Sequence, residues 1–528
     1  MHPPPSPRLS LAGAVALAAL GGLFNAAAFP RVGAWPLVFL GTALILFALK
    51  DRRLWPALLI GFVGGFAFFG LHISWLTVYL GVVPWAALAG LESILFALGA
   101  ALIALAWRRI PLLWPSIFGR LVALPAVLAA LWTLREAIAS VWPYGGFSWG
   151  RLAFSQSDSP FRTLVAWLGI SGLSFVIAWL SALVLQGIRE SAEHVSVRGI
   201  VVTIACVLAL AVPAFPVVIS GSVRVAAVQG NSDSGLFADV QQGQVLNDHL
   251  QATMPIINRT VDVVVWPENA SDLNPLTNDL AAGTLDYVSS RMKAPLITGT
   301  ITEASGGRTF NSVLLWQNGK GSVAQYDKMH PVPFAEYLPN RSFWYPFAPD
   351  LFDMVPRDFS IGTRPNVIQI GTTRAGVAIC FDIVDDALIS QMVEGGAQFI
   401  IAPSNNADFG HTEESEQQAA IARLRSIETG RSVVNDSTVG VTQIFAPDGR
   451  VIDQLPAFAP GALVRRVPLS TTVTPASEIG AEIGWLVSAF GLLALALATL
   501  SRDNRRGIGP EFLFRTTLIA QKKSNEES

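Results

Sequence analysis

Gly376-Val377-Ala378-Ile379-Cys380-Phe381-Asp382 is an apolar, strand-like run that ends on a cysteine and breaks into an aromatic and an acid. Cys380 is one of two cysteines in 528 residues, and the other, Cys206, lies in a membrane-length apolar segment. A thiol at a strand end is often simply a small buried hydrophobe. Two upstream contexts argue for chemistry instead. Glu268 follows Val263-Val264-Val265-Trp266-Pro267, where an apolar strand breaks into a loop and proline restricts the backbone. Lys328 lies in Tyr326-Asp327-Lys328-Met329-His330-Pro331-Val332-Pro333-Phe334-Ala335-Glu336-Tyr337, a loop stiffened by prolines and aromatics, with Glu336 as a second acid. Taken singly, Glu268 reads equally as a loop carboxylate and Lys328 as a solvated surface residue.

Around these three residues the composition divides. The chain is 52% hydrophobic and 14% charged, against ~25% charged in soluble domains, and its mean hydropathy is +0.47. Most of the long apolar runs fall in residues 1–220, whereas 221–478 has the composition of a soluble domain. The net charge of -2 offers no footprint for nucleic acid. Two cysteines, one in an apolar span, make no disulfide framework.

Apolar segments long enough to cross a hydrocarbon core of ~30 Å as helices are expected at about 10–29, 34–49, 56–80, 84–107, 119–139, 163–187, 199–219 and 481–500. Basic residues mark the cytoplasmic loops: Lys50, Arg52 and Arg53; Arg108 and Arg109; Arg189 and Arg198; and Arg502, Arg505 and Arg506 in the tail. The loop Gly81-Val82-Val83-Pro84 has none. Seven crossings then carry residues 221–478 to the outer side of the membrane. The helix at 479–501 returns the chain to a cytoplasmic tail at 502–528. A second reading of residues 1–29 is a cleaved signal peptide, with Ala26-Ala27-Ala28 before Phe29, which leaves the later topology unchanged.

Within 221–478, short β-rich runs at about 223–229, 261–266, 295–301, 312–316, 376–380, 399–402 and 441–445 alternate with helical patterns at about 240–258, 276–292, 384–395 and 413–430. That alternation predicts an α/β domain with helices covering the sheet faces. The expected whole is a multi-pass α-helical membrane domain joined to an α/β domain.

Glu268, Lys328 and Cys380 together suit acyl transfer. A thiol of ordinary pKa ~8.5 is mostly protonated at neutral pH, so a carboxylate is needed to take its proton. A lysine ammonium can stabilise the oxyanion that develops on the carbonyl. Other machineries fit less well. A Cys-His pair would need His249, His330 or His411. Gly146-Phe147-Ser148-Trp149-Gly150 matches the G-x-S-x-G serine elbow, but it lies between apolar spans instead of at a strand-to-helix turn. No His/Cys cluster has metal-ligand spacing, and no glycine-rich loop follows a strand to hold phosphate.

At these residues the chain resembles the nitrilase superfamily, whose catalytic set is Glu-Lys-Cys. Trp266-Pro267-Glu268, the Lys328 loop and Ile379-Cys380-Phe381-Asp382 match its three blocks in order. Ser404-Asn405-Asn406 and the stretch with Arg425, Glu428, Gly430 and Arg431 are similar to its later motifs. Seven spans before such a domain and one after it resemble the apolipoprotein N-acyltransferase family, as do Val228-Gln229-Gly230-Asn231, Val332-Pro333-Phe334-Ala335-Glu336-Tyr337, Gly145–Gly150 and Ser74-Trp75. The chain departs from that pattern at Phe381 and Asp382, where Tyr and Glu are common, and at Asn406 and Asp408, where Asp and Trp are. Phe237 is the nearest counterpart of an aromatic that follows Gln-Gly-Asn.

The resemblance implies a nitrilase-like αββα sandwich on the outer side of a bacterial cytoplasmic membrane. It implies a phospholipid acyl donor, a diacylated lipoprotein acceptor and no cofactor. Cys380 would be the nucleophile, Glu268 the base and Lys328 the oxyanion partner, with Glu336, Phe381, Asp382 and Asn405 supporting them. Phe343, Trp344, Tyr345 and Phe347 form an aromatic stretch suited to contact acyl chains at the interface. The same stretch reads otherwise as a packed loop. Two rivals remain: a membrane-anchored amidase in which water replaces the amine, and an idle scaffold for a partner glycosyltransferase.

Overall fold

The computed structural model describes residues 9–189, 195–232, 235, 239–354 and 358–507. The first part is helical: α1 (Leu11–Ala27), α2 (Leu37–Ala48), α3 (Leu54–His72), α4 (Val82–Leu113), α5 (Leu124–Ala139), α6 (Val165–Arg189) and α7 (Val195–Ala211). A π-helical turn over Gly119–Ala123 runs directly into α5. Gly169, at φ 67 and ψ 179, kinks the start of α6.

Among the described residues, five helical stretches are long and apolar enough to cross a membrane: Leu54–His72, Val82–Leu113, Gly119–Ala139, Pro160–Arg189 and Pro475–Ser501. Three of the eight expected spans are shorter helices. α1 has 17 residues, α2 has 12 and α7 has 17. At 1.5 Å per residue, α2 is ~18 Å long, well short of the ~30 Å core. The expected span at 56–80 ends as a helix at His72, and the chain then makes a separate turn over Leu76–Tyr79.

The second part contains two six-stranded sheets. In chain order come β1 (Gly221–Gln229), α8 (Gln244–Thr253), β2 (Val263–Val265), α9 (Asp279–Met292), β3 (Leu296–Ala304), β4 (Arg308–Gln317) and β5 (Gly321–Asp327). These are followed by β6 (Val367–Ile370), β7 (Thr373–Val377), α10 (Asp386–Glu394), β8 (Phe399–Ser404), α11 (Glu414–Thr429), β9 (Ser432–Ser437), β10 (Gln443–Phe445), β11 (Val451–Gln454) and β12 (Gly461–Leu469). The first sheet has the order β12-β1-β2-β3-β4-β5 and the second β11-β10-β9-β8-β7-β6. In each, the inner strands run parallel across helical crossovers, β1 to β2 to β3 and β7 to β8 to β9.

The period of two along each strand builds the layers. Val225 and Ala227 of β1, Val263 and Val265 of β2, and Phe399 and Ile401 of β8 enter one core between the sheets. The intervening Ala226, Val228 and Val264 pack with Leu246, Leu285 and Val288 of α8 and α9. On the far side, Ile400, Ala402 and Val433 pack with Ile389 of α10 and with Ile421 and Leu424 of α11. The result is an αββα sandwich whose second helical layer is continuous with the core of the apolar helices. After β12 the chain enters α12 (Pro475–Gly507), which begins before the expected 479 and continues past the expected 501. Residues 508–528 of the expected tail lie outside the described residues.

Candidate active site

Each candidate residue stands where a strand stops. Beyond β2, Trp266 is fully buried and its indole N–H donates to Thr253 Oγ1 at 3.0 Å, which fixes the exit that carries Glu268. The bend presses against β3 at Gly299, whose N–H donates to the Pro267 carbonyl at 3.0 Å. A Cβ at Gly299 would come within 2.5 Å of that carbonyl oxygen, so only glycine fits there. Lys328 follows β5, held by its N–H to the Asn311 carbonyl at 2.8 Å. Cys380 lies beyond β7, not inside a strand as expected over 376–380. It opens a 3₁₀ turn over Cys380–Val384 with its own φ at 50, a left-handed conformation uncommon outside glycine.

Glu268 and Lys328 are almost wholly buried, at 4% and 2% exposure. Lys328 Nζ lies 2.8 Å from Glu336 Oε2 and 3.5 Å from Glu268 Oε1. Asn311, which sequence reasoning missed, donates through Nδ2 to Glu268 Oε1 at 2.6 Å and to Glu336 Oε1 at 3.2 Å. The Asn405 backbone N–H donates to Glu268 Oε2 at 2.7 Å, and the Val332 N–H donates to Glu336 Oε2 at 2.6 Å. Nothing in the local sequence distinguishes Asn311, which sits inside β4. Only the pairing of β4 with β3 and β5 sets it between the two loops.

Two carboxylates here share one ammonium, and the electrostatics follow. Burial pushes Glu268 above the usual carboxylate range, with Glu336 adding to the rise while Lys328, Asn311 and Asn405 oppose it. Burial alone lowers Lys328, but Glu336 and Glu268 outweigh it and hold the ammonium well above its ordinary pKa. Burial likewise drives the Cys380 thiol up, reinforced by Glu268 and countered by Lys328. The resting set is therefore a protonated thiol, a charged lysine and an unusually basic glutamate. Cys380, Glu268, Lys328, Glu336, Asn311 and Asn405 all line one cavity of about 390 Å³. Tyr79, from the turn after α3, and Phe409 form part of its wall.

Residues 21–183 match the family model described as the apolipoprotein N-acyltransferase N-terminal domain, and residues 224–474 match that of carbon-nitrogen hydrolase. An apolipoprotein N-acyltransferase of Mycolicibacterium smegmatis is 30% identical over 540 residues, covering 95% of this chain and 87% of the relative. The chain belongs to the apolipoprotein N-acyltransferase family. The member from Haemophilus influenzae is 26% identical over 93% of this chain and 95% of its own length. Among solved structures, an amidase from Nesterenkonia sp. is 15% identical with a TM-score of 0.37, covering 48% of this chain and 94% of the amidase.

Family position explains why an apolar helical domain is docked so closely on a hydrolase-like sandwich. Phe381 stacks nearly parallel to Trp149 and Phe147, with ring centroids 6.1 and 6.0 Å away, so an aromatic beside Cys380 joins the two parts. The Gly146–Gly150 stretch is a dock and not a serine elbow: Ser148 is buried and its Oγ donates to the Val384 carbonyl at 3.2 Å. The Ser74-Trp75 pair serves the same end. Ser74 Oγ donates to Glu413 Oε1 at 3.0 Å, and the Trp75 indole donates to Gln417 Oε1 at 3.2 Å.

Asp382 fastens the Cys380 turn to the Lys328 loop. Its carboxylate accepts from the Ile379 N–H at 3.0 Å, the Tyr326 hydroxyl at 2.8 Å and the His330 N–H at 2.9 Å. Burial raises it to about 6 against those bonds and Lys328. The shorter acid thus still bridges the two loops in this family member.

The four aromatics offered for lipid contact lie away from the cavity lining. Phe343 and Phe347 are 58% and 71% exposed, whereas Trp344 packs edge-on against Phe334 and donates to Tyr144 Oη at 3.0 Å. Tyr345 Oη donates to Asp353. The stretch is half a packed loop and half an exposed apolar edge. Phe237 lies outside the described residues.

Proposed function

We propose that this chain transfers an acyl group from a phospholipid to the N-terminal amine of a diacylglyceryl-cysteine lipoprotein through a thioester on Cys380. The observation that carries the proposal is the convergence of a half-buried thiol, an unusually basic glutamate and a charged lysine on one cavity beside the apolar helices. Glu268 takes the thiol proton, and the sulfur attacks the ester carbonyl. Lys328 Nζ stabilises the oxyanion. As the intermediate collapses the C–O bond breaks, Glu268 returns the proton to the departing alkoxide, and a lysophospholipid leaves. The lipoprotein amine then attacks the thioester; a C–N bond forms, the C–S bond breaks, and Glu268 takes the proton released by the amine.

Glu336 holds Lys328 in place, and Asn311 keeps both carboxylates turned toward it. The loop charges support an orientation in which the sandwich faces the outer side of a bacterial cytoplasmic membrane, where both lipid substrates meet it at high local concentration. Phe343 and Phe347 suit contact with acyl chains at that surface.

Asn311→Leu tests the carboxylate geometry. It removes a charge-assisted bond from each acid, worth roughly 1.5–3 kcal/mol, so kcat/KM should fall about 10- to 100-fold. An unchanged kcat/KM in a folded variant would leave Asn311 without the role given to it. The function itself is tested by incubating purified protein in phospholipid vesicles with a diacylated lipopeptide. The expected product is the N-acylated peptide with one equivalent of lysophospholipid. Free fatty acid with no N-acylated peptide would show a hydrolase instead, and neither product would leave the scaffold reading.

A further inference from the structure

α11 presents adjacent glutamines to two different tasks. Gln417 holds the apolar helices: its Nε2 donates to the His72 and Pro30 carbonyls, each at 3.2 Å, and its Oε1 accepts from the Trp75 and Trp149 indoles. Gln418 turns the other way, with its Nε2 directed at Cys380 Sγ at 3.7 Å.

A side-chain amide has a donor end and an acceptor end, and its direction is set by its neighbours. Here one connected set of bonds sets the direction. The backbone N–H of Gly440 donates to Ser437 Oγ at 2.9 Å. The Ser437 hydroxyl hydrogen is then free to be given to Asn406 Oδ1 at 2.5 Å. With its oxygen so engaged, Asn406 has Nδ2 facing Gln418 Oε1 at 2.8 Å and Glu414 Oε2 at 2.7 Å. Gln418 therefore has its carbonyl facing Asn406 and its N–H facing the sulfur. Gly440 has to be glycine for this, because a Cβ there would lie 2.7 Å from Ser415 Cβ and 3.0 Å from Asn406 Oδ1.

We propose that Gln418 is a catalytic hydrogen-bond donor to the Cys380 sulfur, aimed by a relay running from Gly440 through Ser437 and Asn406. The proposal rests on the reading of Cys380 as nucleophile and adds a residue to it. The sulfur is most anionic when Glu268 has taken its proton, and again when the amine expels it from the thioester. A donor fixed at 3.7 Å favours both states over the neutral thiol. Glu414, behind the relay, is raised to about 8 by burial, with Glu268 and Glu416 adding and Asn406 opposing. Beyond burial, Glu268 and Glu414 both raise the Cys380 thiol, and a donor on the sulfur opposes them.

The test is site-resolved alkylation of Cys380 by iodoacetamide across pH in the full-length protein in detergent micelles. Gln418→Met keeps the length of the side chain and removes the donor. It is expected to raise the pH midpoint of alkylation by about one unit and to slow alkylation near pH 7.5 about tenfold. Ser437→Ala frees Asn406 to turn, and a smaller slowing of about threefold is expected from it. Gln418→Met leaves Glu268, Lys328, Glu336 and Glu414, the titratable groups that face Cys380, in place, whereas Ser437→Ala also loosens the Asn406 bond to Glu414 Oε2. Thermal unfolding identifies the variants that have kept the fold. An unchanged midpoint in folded Gln418→Met would overturn the proposal, and so would an unchanged rate in folded Ser437→Ala, which would break the relay. Alkylation needs no lipid, so these outcomes are separate from a failure of acyl transfer in the wild type.

Discussion

Replacement of Cys380 by alanine is expected to abolish acyl transfer. In the proposed mechanism Cys380 is the one nucleophile. Removing a nucleophile from a coupled catalytic set costs on the order of 10⁶ in kcat where it has been dissected, so turnover should fall below any practical detection limit. Binding of phospholipid should persist, because the apolar wall and Lys328 remain. Cys206→Ala, on α7, should retain full activity. Loss of activity in Cys206→Ala with Cys380 intact would mean that the nucleophile has been misassigned. Stopped-time product analysis of the two variants side by side separates the cases.

The second large effect concerns folding. Arg425 is fully buried and holds the turn after Cys380 from below. Its Nε donates to the Ile383 carbonyl at 2.9 Å and its Nη2 to the Val384 carbonyl at 2.8 Å and Asp386 Oδ1 at 2.7 Å. Nη1 pairs with Glu428 Oε2 at 2.5 Å. Asp386 is shared with Arg151 from the helical part, and the Glu428 carboxylate accepts from the Ile170 N–H at 3.2 Å. Arg425→Met fills the space but leaves one buried acid without its main partner, at a cost of about 3–5 kcal/mol. Thermal unfolding in micelles should register a large drop, together with loss of alkylation control at Cys380.

Acid stability carries the same signature. Burial alone would raise Asp386, but Arg151 and Arg425 outweigh it and hold the carboxyl at about 2. A depressed carboxylate contributes stability that is full above its unfolded pKa of ~3.9 and is lost as pH falls through its folded value. The wild type should therefore lose stability between about pH 4 and pH 2. Arg425→Met should start lower and show a shallower loss in that window. Equal slopes would contradict the assigned pairing.

The parts of this arrangement that were legible in the sequence are those written in local pattern. Val263-Val264-Val265 and Phe399-Ile400-Ile401 are continuous apolar runs, and both are buried parallel strands, as such runs should be. The helices at Asp279–Met292, Asp386–Glu394 and Glu414–Thr429 fall within a few residues of their expected bounds. β9 was illegible because it is built as Ser432-Val433-Val434-Asn435-Asp436-Ser437 and nevertheless lies buried inside a sheet. Its polar groups find tertiary partners, as when Ser432 Oγ donates to the Pro468 carbonyl at 2.7 Å and Asn435 Nδ2 to the Val441 carbonyl at 2.6 Å. β12 was hidden by Arg465 and Arg466, whose side chains lie on an exposed edge strand.

Similar reasoning separates the site residues. Glu268, Lys328 and Cys380 each sit in a distinctive local context, and the three together, not any one singly, point to chemistry. Asn311 and Gln418 have their partners more than 10 residues away in sequence and nothing in their own surroundings marks them, whereas Asn406 stands in a visible motif that gives no sign of its bond to Gln418. Ser148 and Trp149 carried a visible motif whose local match suggested chemistry, while its actual partners, Val384 and Phe381, became visible only when the two parts of the chain were packed together.

The most direct measurement is the mass of the peptide containing Cys380 after the protein has been incubated with isotope-labelled phospholipid and quenched in acid. A labelled acyl group is expected on that cysteine and is absent from Cys380→Ala. Addition of a diacylated lipopeptide should discharge it, with the label recovered as an amide on the peptide's N-terminus. A wild-type enzyme that makes N-acylated peptide with no acyl group ever detectable on Cys380, or a label that leaves only as free fatty acid, would contradict the proposed mechanism.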